Sequence, residues 1–73
     1  MVRLRILEIL EEQGRTKYWL YKRMDMLNYR NFKNIIDNET SSIRFEILDK
    51  LSRILGVPVG ELFVQTEDEG KEE

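Results

Sequence analysis

The chain has 73 residues, 36% of them charged, a net charge of −2, and neither cysteine nor histidine. That length supports one small core with a few kcal/mol of net stability, and without cysteine only packing holds it together. The commonest general base, metal ligand and thiolate nucleophile are all missing, and no carboxylate or Ser and Lys pair stands at a catalytic spacing, so neither an enzyme nor a cofactor is expected.

In chain order, Leu4, Ile6, Leu7, Ile9 and Leu10 alternate with charge at helical spacing and predict a first helix over 3–13, closed by Gly14. Arg3, Arg5, Glu8, Glu11 and Glu12 are expected to pair along its solvated face. Thr16 is placed to cap a second helix ending near Met24, with Trp19, Leu20 and Met24 along its buried side. Trp19, the sole tryptophan, is expected in the core against the fourth helix. After the turn Asp25-Met26-Leu27, Asn28 suits the N-cap of a third helix reaching about Asp37, and Asn38 suits a left-handed cap. Phe45, Leu48, Leu51, Ile54 and Leu55 predict a fourth helix closed by Gly56. Pro58 then pre-sets a short fifth helix that buries Leu62 and Phe63. No alternating run of β formers is evident, so no strand is expected and the fold class is all-α. The acidic end, 65–73, has too little apolar area to repay ordering and is expected to be disordered, leaving one domain over 1–64. No apolar run nears the roughly 18 to 20 residues of a membrane span, and the first ten residues lack a signal cleavage site, so a cytoplasmic protein is expected.

The charge is unevenly spread. Residues 65–73 carry five acids against Lys71, which leaves 11 basic and 9 acidic side chains in the first 64 residues. Between Arg15 and Lys33, six basic side chains face only Asp25. Such an excess is the footprint of a phosphate-binding face, with solvated surface as the bland alternative. The acidic end reads as a solubilising segment, or as a competitor with phosphate for the basic face.

A short helix, a turn and a second helix with an apolar seam form a helix-turn-helix pattern, common in small bundles. The residues are more specific. "TKYWLYKRM", "NYRNFKNIIDNET", "SIRFEILDKLSRILGV" and "GELF", in that order, resemble the Xre-type (Cro and phage-repressor-like) DNA-binding domains, and among them the small single-domain bacterial and phage regulators. The resemblance spans Arg3 to about Phe63 and implies a five-helix, lambda-repressor-like fold in a sequence-specific transcriptional regulator, a repressor, with double-stranded DNA as partner. It further implies base contacts from Asn28, Tyr29, Arg30, Lys33 and Asn34 on the third helix, and backbone contacts from Thr16, Lys17, Thr40, Ser41 and Ser42. Those residue types suit the roles: arginine bonds guanine bidentately, asparagine does so for adenine, and hydroxyls hold phosphate oxygens. The seam of Phe32, Ile35 and Ile36 independently turns Tyr29, Arg30 and Lys33 outward.

Three departures stand out. The spacing from Leu20 to Phe32 is one residue longer than the pattern, the turn lacks its usual glycine, and Tyr21 replaces a small residue. Asp25 or a neighbour is therefore expected in the left-handed conformation, and Tyr21 is expected to widen the helix pair. A palindromic target requires two copies, and the final helix, with Phe63 and Val64, is where a homodimer contact is expected. The rival reading is a protein-interaction module of the same fold, an antitoxin or an anti-repressor partner, favoured by the near-neutral charge and by Asp25 and Glu39.

Overall fold

The computed structural model describes residues 2–26 and 28–65. The elements are β1 (Val2–Leu4), α1 (Ile6–Gln13), α2 (Lys17–Met24), α3 (Tyr29–Ile36), α4 (Phe45–Leu55), a 3-10 turn (Val59–Leu62) and β2 (Phe63–Gln65). Where a left-handed stop is needed the chain supplies residues that tolerate it: Gly14 and Gly56 end α1 and α4 at φ 68° and 72°, and Asp25 ends α2 at φ 58°. Asp25 therefore does the work of the missing turn glycine, at the modest penalty that Asp tolerates better than most residues. Thr16 caps α2 by accepting from the Trp19 N–H at 3.0 Å.

The four helices close around Ile6, Ile9, Leu10, Leu20, Met24, Phe32, Ile35, Ile36, Leu48, Leu51, Leu55 and Leu62, with Leu4 covering one end. Every buried side chain among the described residues is apolar, so no buried charge or orphaned polar side chain has to be compensated. α2 packs on α4, while α2 and α3 meet mainly through side chains rather than by close backbone approach. Tyr21 is one reason. Its ring stands edge-on to Tyr29 at 4.8 Å between centroids and tilts against Phe32 at 5.2 Å, holding the two helices apart with aromatic volume.

The chain ends contradict the all-α expectation. β1 and β2 form a two-stranded antiparallel sheet with Val2 opposite Gln65, Arg3 opposite Val64 and Leu4 opposite Phe63. Helix α1 accordingly starts at Ile6, not Arg3, because the first residues extend to meet β2. Arg3 and Arg5 then reach α1 from outside it, pairing with Glu8 at 2.7 Å and Glu12 at 3.0 Å instead of along a helix face. The expected fifth helix shrinks to the 3-10 turn: Pro58 stays extended at ψ 151°, and Phe63, Val64 and Gln65 are strand. Gln65, the first residue of the expected tail, is the last residue of β2. The rest of the expected tail, 66–73, lies outside the described residues.

Two aromatics also differ from expectation. Phe45, placed on the buried stripe of α4 by its spacing, is 86% exposed, because it stands in the first turn and overhangs the core rather than entering it. Trp19 lies half-buried at the core's rim. The guanidiniums of Arg15 and Arg23 stack on its ring at 4.0 and 4.4 Å.

Candidate nucleic-acid interface

Helix α3 is defined by its two faces. Asn28 caps it, its Oδ1 accepting from the backbone N–H groups of Arg30 at 2.9 Å and Asn31 at 3.3 Å. Phe32, Ile35 and Ile36 then anchor one side in the core. Tyr29, Arg30 and Lys33 stand exposed on the other.

Both ends of α3 are fixed from outside. At the start, Tyr29 is held edge-on against Tyr21 while remaining 46% exposed. At the end, Asn38 takes φ 62° and aims its carboxamide at β1: Oδ1 accepts from the Leu4 N–H at 2.7 Å, and Nδ2 donates to the Leu4 carbonyl at 3.0 Å. A side chain here does the work of a neighbouring strand, tying α3 to the sheet. The composition predicts a left-handed Asn38, but its partner 34 residues away leaves no local signal.

Charge on this face is mixed. Arg30 forms no ion pair among the described residues. Lys33 bonds Asp37 at 3.0 Å, and that hydrogen bond, then the attraction of the same carboxylate, holds its ammonium above the ordinary lysine range. Lys33 stays cationic, and Asp37 offsets part of its field. Within the basic segment, the Arg15–Trp19–Arg23 stack lies about 200° around α2 from Tyr21, two residues along the helix, and so away from α3. The local excess of positive charge is therefore divided between two faces.

The other candidates separate in the same way. Asn28 commits its Oδ1 to the cap and keeps only its NH₂ for a base. Asn34 is half-buried. Thr16 and Lys17 stand exposed at the start of α2. In the loop before α4, Thr40, Ser41 and Ser42 are exposed, and the Thr40 hydroxyl donates to the Ser42 carbonyl at 2.9 Å. Thr40 and Ser42 share an open concavity of about 590 Å³ with Asn31 and Ile35 of α3 and with Arg44, the residue before α4. This groove lies between the Asn31–Ile35 side of α3 and the loop, and none of Tyr29, Arg30 or Lys33 lines it. Thr16 and Lys17 do not line it.

Sequence reasoning missed two residues here. Arg44 borders the groove, its guanidinium 3.9 Å from the exposed carboxylate of Glu46, and Phe45 projects beside it. Their position in "SIRFE", directly after the polar loop and at the start of a helix, was the available signal: side chains of a first turn reach past the core.

Among the described residues there is no cluster of carboxylates fit to hold a metal, and no helix is long and apolar enough to cross a membrane. A family model, the Cro/C1-type HTH DNA-binding domain, matches residues 5–68. Comparison with curated proteins and with solved structures returns no significant match.

Proposed function

Because the chain belongs to the Cro/C1-type helix-turn-helix DNA-binding family, we propose that it is a sequence-specific transcriptional regulator, a repressor, whose α3 enters the major groove. The observation that carries this reading is the division of α3: three side chains locked in the core, and Tyr29, Arg30 and Lys33 free of it on a helix fixed at both ends. A rod held that rigidly presents its donors without further ordering, which is what base readout requires. Arg30, with no competing carboxylate among the described residues, is the guanine reader. Tyr29 reaches a phosphate or a thymine methyl, Lys33 acts as a point charge, and the amide NH₂ of Asn28 and the carboxamide of Asn34 supply secondary contacts. Thr16, Lys17, Thr40, Ser41 and Ser42, with Arg44 added, grip the backbone on either side.

The protein-interaction reading draws support from the divided positive charge and from the Lys33–Asp37 pair, which lowers the net field at α3. Salt separates the two. Fragments of genomic DNA titrated at two ionic strengths are expected to show affinity falling steeply with salt, as counterions are released from several phosphates. An affinity flat in salt, or no retention of any DNA at low salt, contradicts the proposal in favour of a protein partner held by apolar area.

A further inference from the structure

Helix α2 buries little of itself. Of its eight residues only Leu20 and Met24 enter the core. Tyr18, Trp19, Lys22 and Arg23 occupy an arc of about 140° on its outer side, and Arg15 extends the same row past the start of the helix. Tyr18 is 64% exposed, and Arg15, Lys22 and Arg23 are exposed with it. The cations of this row are laid on its aromatics. The Arg15 and Arg23 guanidiniums stack on the one indole ring at 4.0 and 4.4 Å, and the Lys22 ammonium lies 5.6 Å from the centre of the Tyr18 ring.

Stacking decides what such an arginine still has to offer. With its flat face against the ring, a guanidinium keeps its N–H groups at the edge, in the plane, where a fork of two matches the two oxygens of a carboxylate. The ring also restrains the side chain before a partner arrives, so less freedom is lost on binding. The two guanidinium centres lie no more than about 8 Å apart, a span that two glutamates bridge from one turn apart on a helix or two residues apart on a strand. Among the described residues, none of Arg15, Lys22 and Arg23 pairs with a carboxylate, whereas five other cations each do.

We propose that this row of α2 is a docking surface for a carboxylate-rich segment of another protein, gripped by the two guanidiniums stacked on Trp19. Tryptophan, tyrosine and arginine dominate the energetics of protein–protein contacts, and here they adjoin on one helix face. Charge selects the partner: three cations without a carboxylate of their own among the described residues demand an acidic one. A nucleic acid fits less well. Phosphates would take the three charges and leave the Tyr18 ring unused, and the Trp19 stack lies on the side of α2 turned away from α3, so a duplex read by α3 would not run along it. The acidic partner and DNA are therefore held at the same time. That joint use rests on the DNA-binding reading, whereas the docking surface does not.

A short peptide of glutamate with leucine at every third position, titrated into the full chain, is expected to bind at about 10 to 100 µM and to shift the emission of Trp19, the sole tryptophan. Its glutamine counterpart is expected not to bind. Arg15→Lys and Arg23→Lys keep the charge and lose the fork. Combined, they are expected to weaken the glutamate peptide roughly tenfold or more with the melting temperature nearly unchanged, since both side chains are exposed. Arg30→Gln and Lys33→Gln, on α3, are expected to leave peptide binding in place. No binding by the glutamate peptide, equal binding by the glutamine one, or indifference to the two lysine substitutions overturns the surface. So does binding that appears only once the five carboxylates of residues 67–73 are replaced by amides, which makes the chain's own end the occupant, or displacement of the peptide by a DNA duplex, which makes the row a phosphate contact. A chain that binds the peptide but retains no DNA removes only the joint use. A chain that retains DNA and ignores the peptide loses the docking surface and keeps the groove-reading role.

Discussion

Helix α3 and the β1–β2 sheet are built in opposite ways. In α3, the cap Asn28 and the eight helical residues after it contain the buried stripe and the exposed face, so every determinant lies within one turn or two of the residue it positions. The sheet joins residues 2–4 to residues 63–65, three on each side, and depends on a side chain from the middle of the chain to finish its edge. One region exposes polar side chains, the other a row of backbone groups. The contrast shows that this small fold draws its rigidity from two sources, a helix whose cap, seam and exposed face are set locally and a strand pair closed across the length of the chain, with the bidentate Asn38 contact joining them.

The comparison breaks most visibly at Phe32. It is 1% exposed and packs on Tyr21 and Tyr29, so Phe32→Ala is expected to lower stability by about 3 to 5 kcal/mol in urea unfolding, enough to unfold much of so small a domain. A variant that unfolds at the wild-type midpoint would place α3 in another register.

Asn38 tests the coupling. Asn38→Gly keeps the left-handed backbone and deletes the carboxamide, leaving the Leu4 groups without a partner, for an expected loss of about 1 to 3 kcal/mol and faster exchange of the Leu4 amide. Asn38→Ala adds backbone strain at φ 62° and is expected to be worse than Asn38→Gly. Equal losses in the two variants would mean that the conformation plays no part, and no loss in either would mean that the sheet stands without α3.

Phe45 sets the opposite limit. Phe45→Ser is expected to change stability by no more than about 0.5 kcal/mol, since the ring leaves the core uncovered and solvent meets it already. A loss like that of Phe32→Ala would put Phe45 inside.

The smallest effect lies where the sheet meets α1. The hydrogen bond from Arg3, then a backbone hydrogen bond, hold the half-buried Glu8 carboxyl below its ordinary value of 4.5. A depressed carboxyl contributes stability above its unfolded value and loses it as pH falls through the folded one. Between about pH 5 and pH 3, wild type is therefore expected to lose a fraction of a kcal/mol more than Glu8→Gln, modest because water screens the pair. Parallel pH profiles would show that the pair contributes nothing.

How legible each region was follows from the same contrast. The caps at Thr16, Asn28, Gly14, Gly56 and Asn38, and the seam of Phe32, Ile35 and Ile36, are local and could be read from spacing. Phe45 fits the 3.6-residue period yet stands outside, because period fixes the side of a helix and not whether the core extends that far along it. The strands were missed for a related reason. Val2, Leu4 and Ile6 alternate with Arg3 and Arg5, a two-residue period that also fits the opening of an amphipathic helix, and only the distant partner decides between them. In the candidate interface, outward projection of Tyr29, Arg30 and Lys33 was readable. The Lys33–Asp37 pair and the turning away of Arg15 and Arg23 were not, since each depends on where a neighbouring group ends up in space.

The central claim, that α3 reads DNA through the side chains it keeps out of the core, is tested most directly by Arg30→Ala, with affinity for a selected DNA site and melting temperature measured on the same preparation. Arg30→Ala is expected to lose more than about 1 kcal/mol in specific affinity with the melting temperature nearly unchanged. Unaltered DNA affinity in a folded Arg30→Ala protein, or a loss of affinity that only tracks a fall in stability, would contradict it.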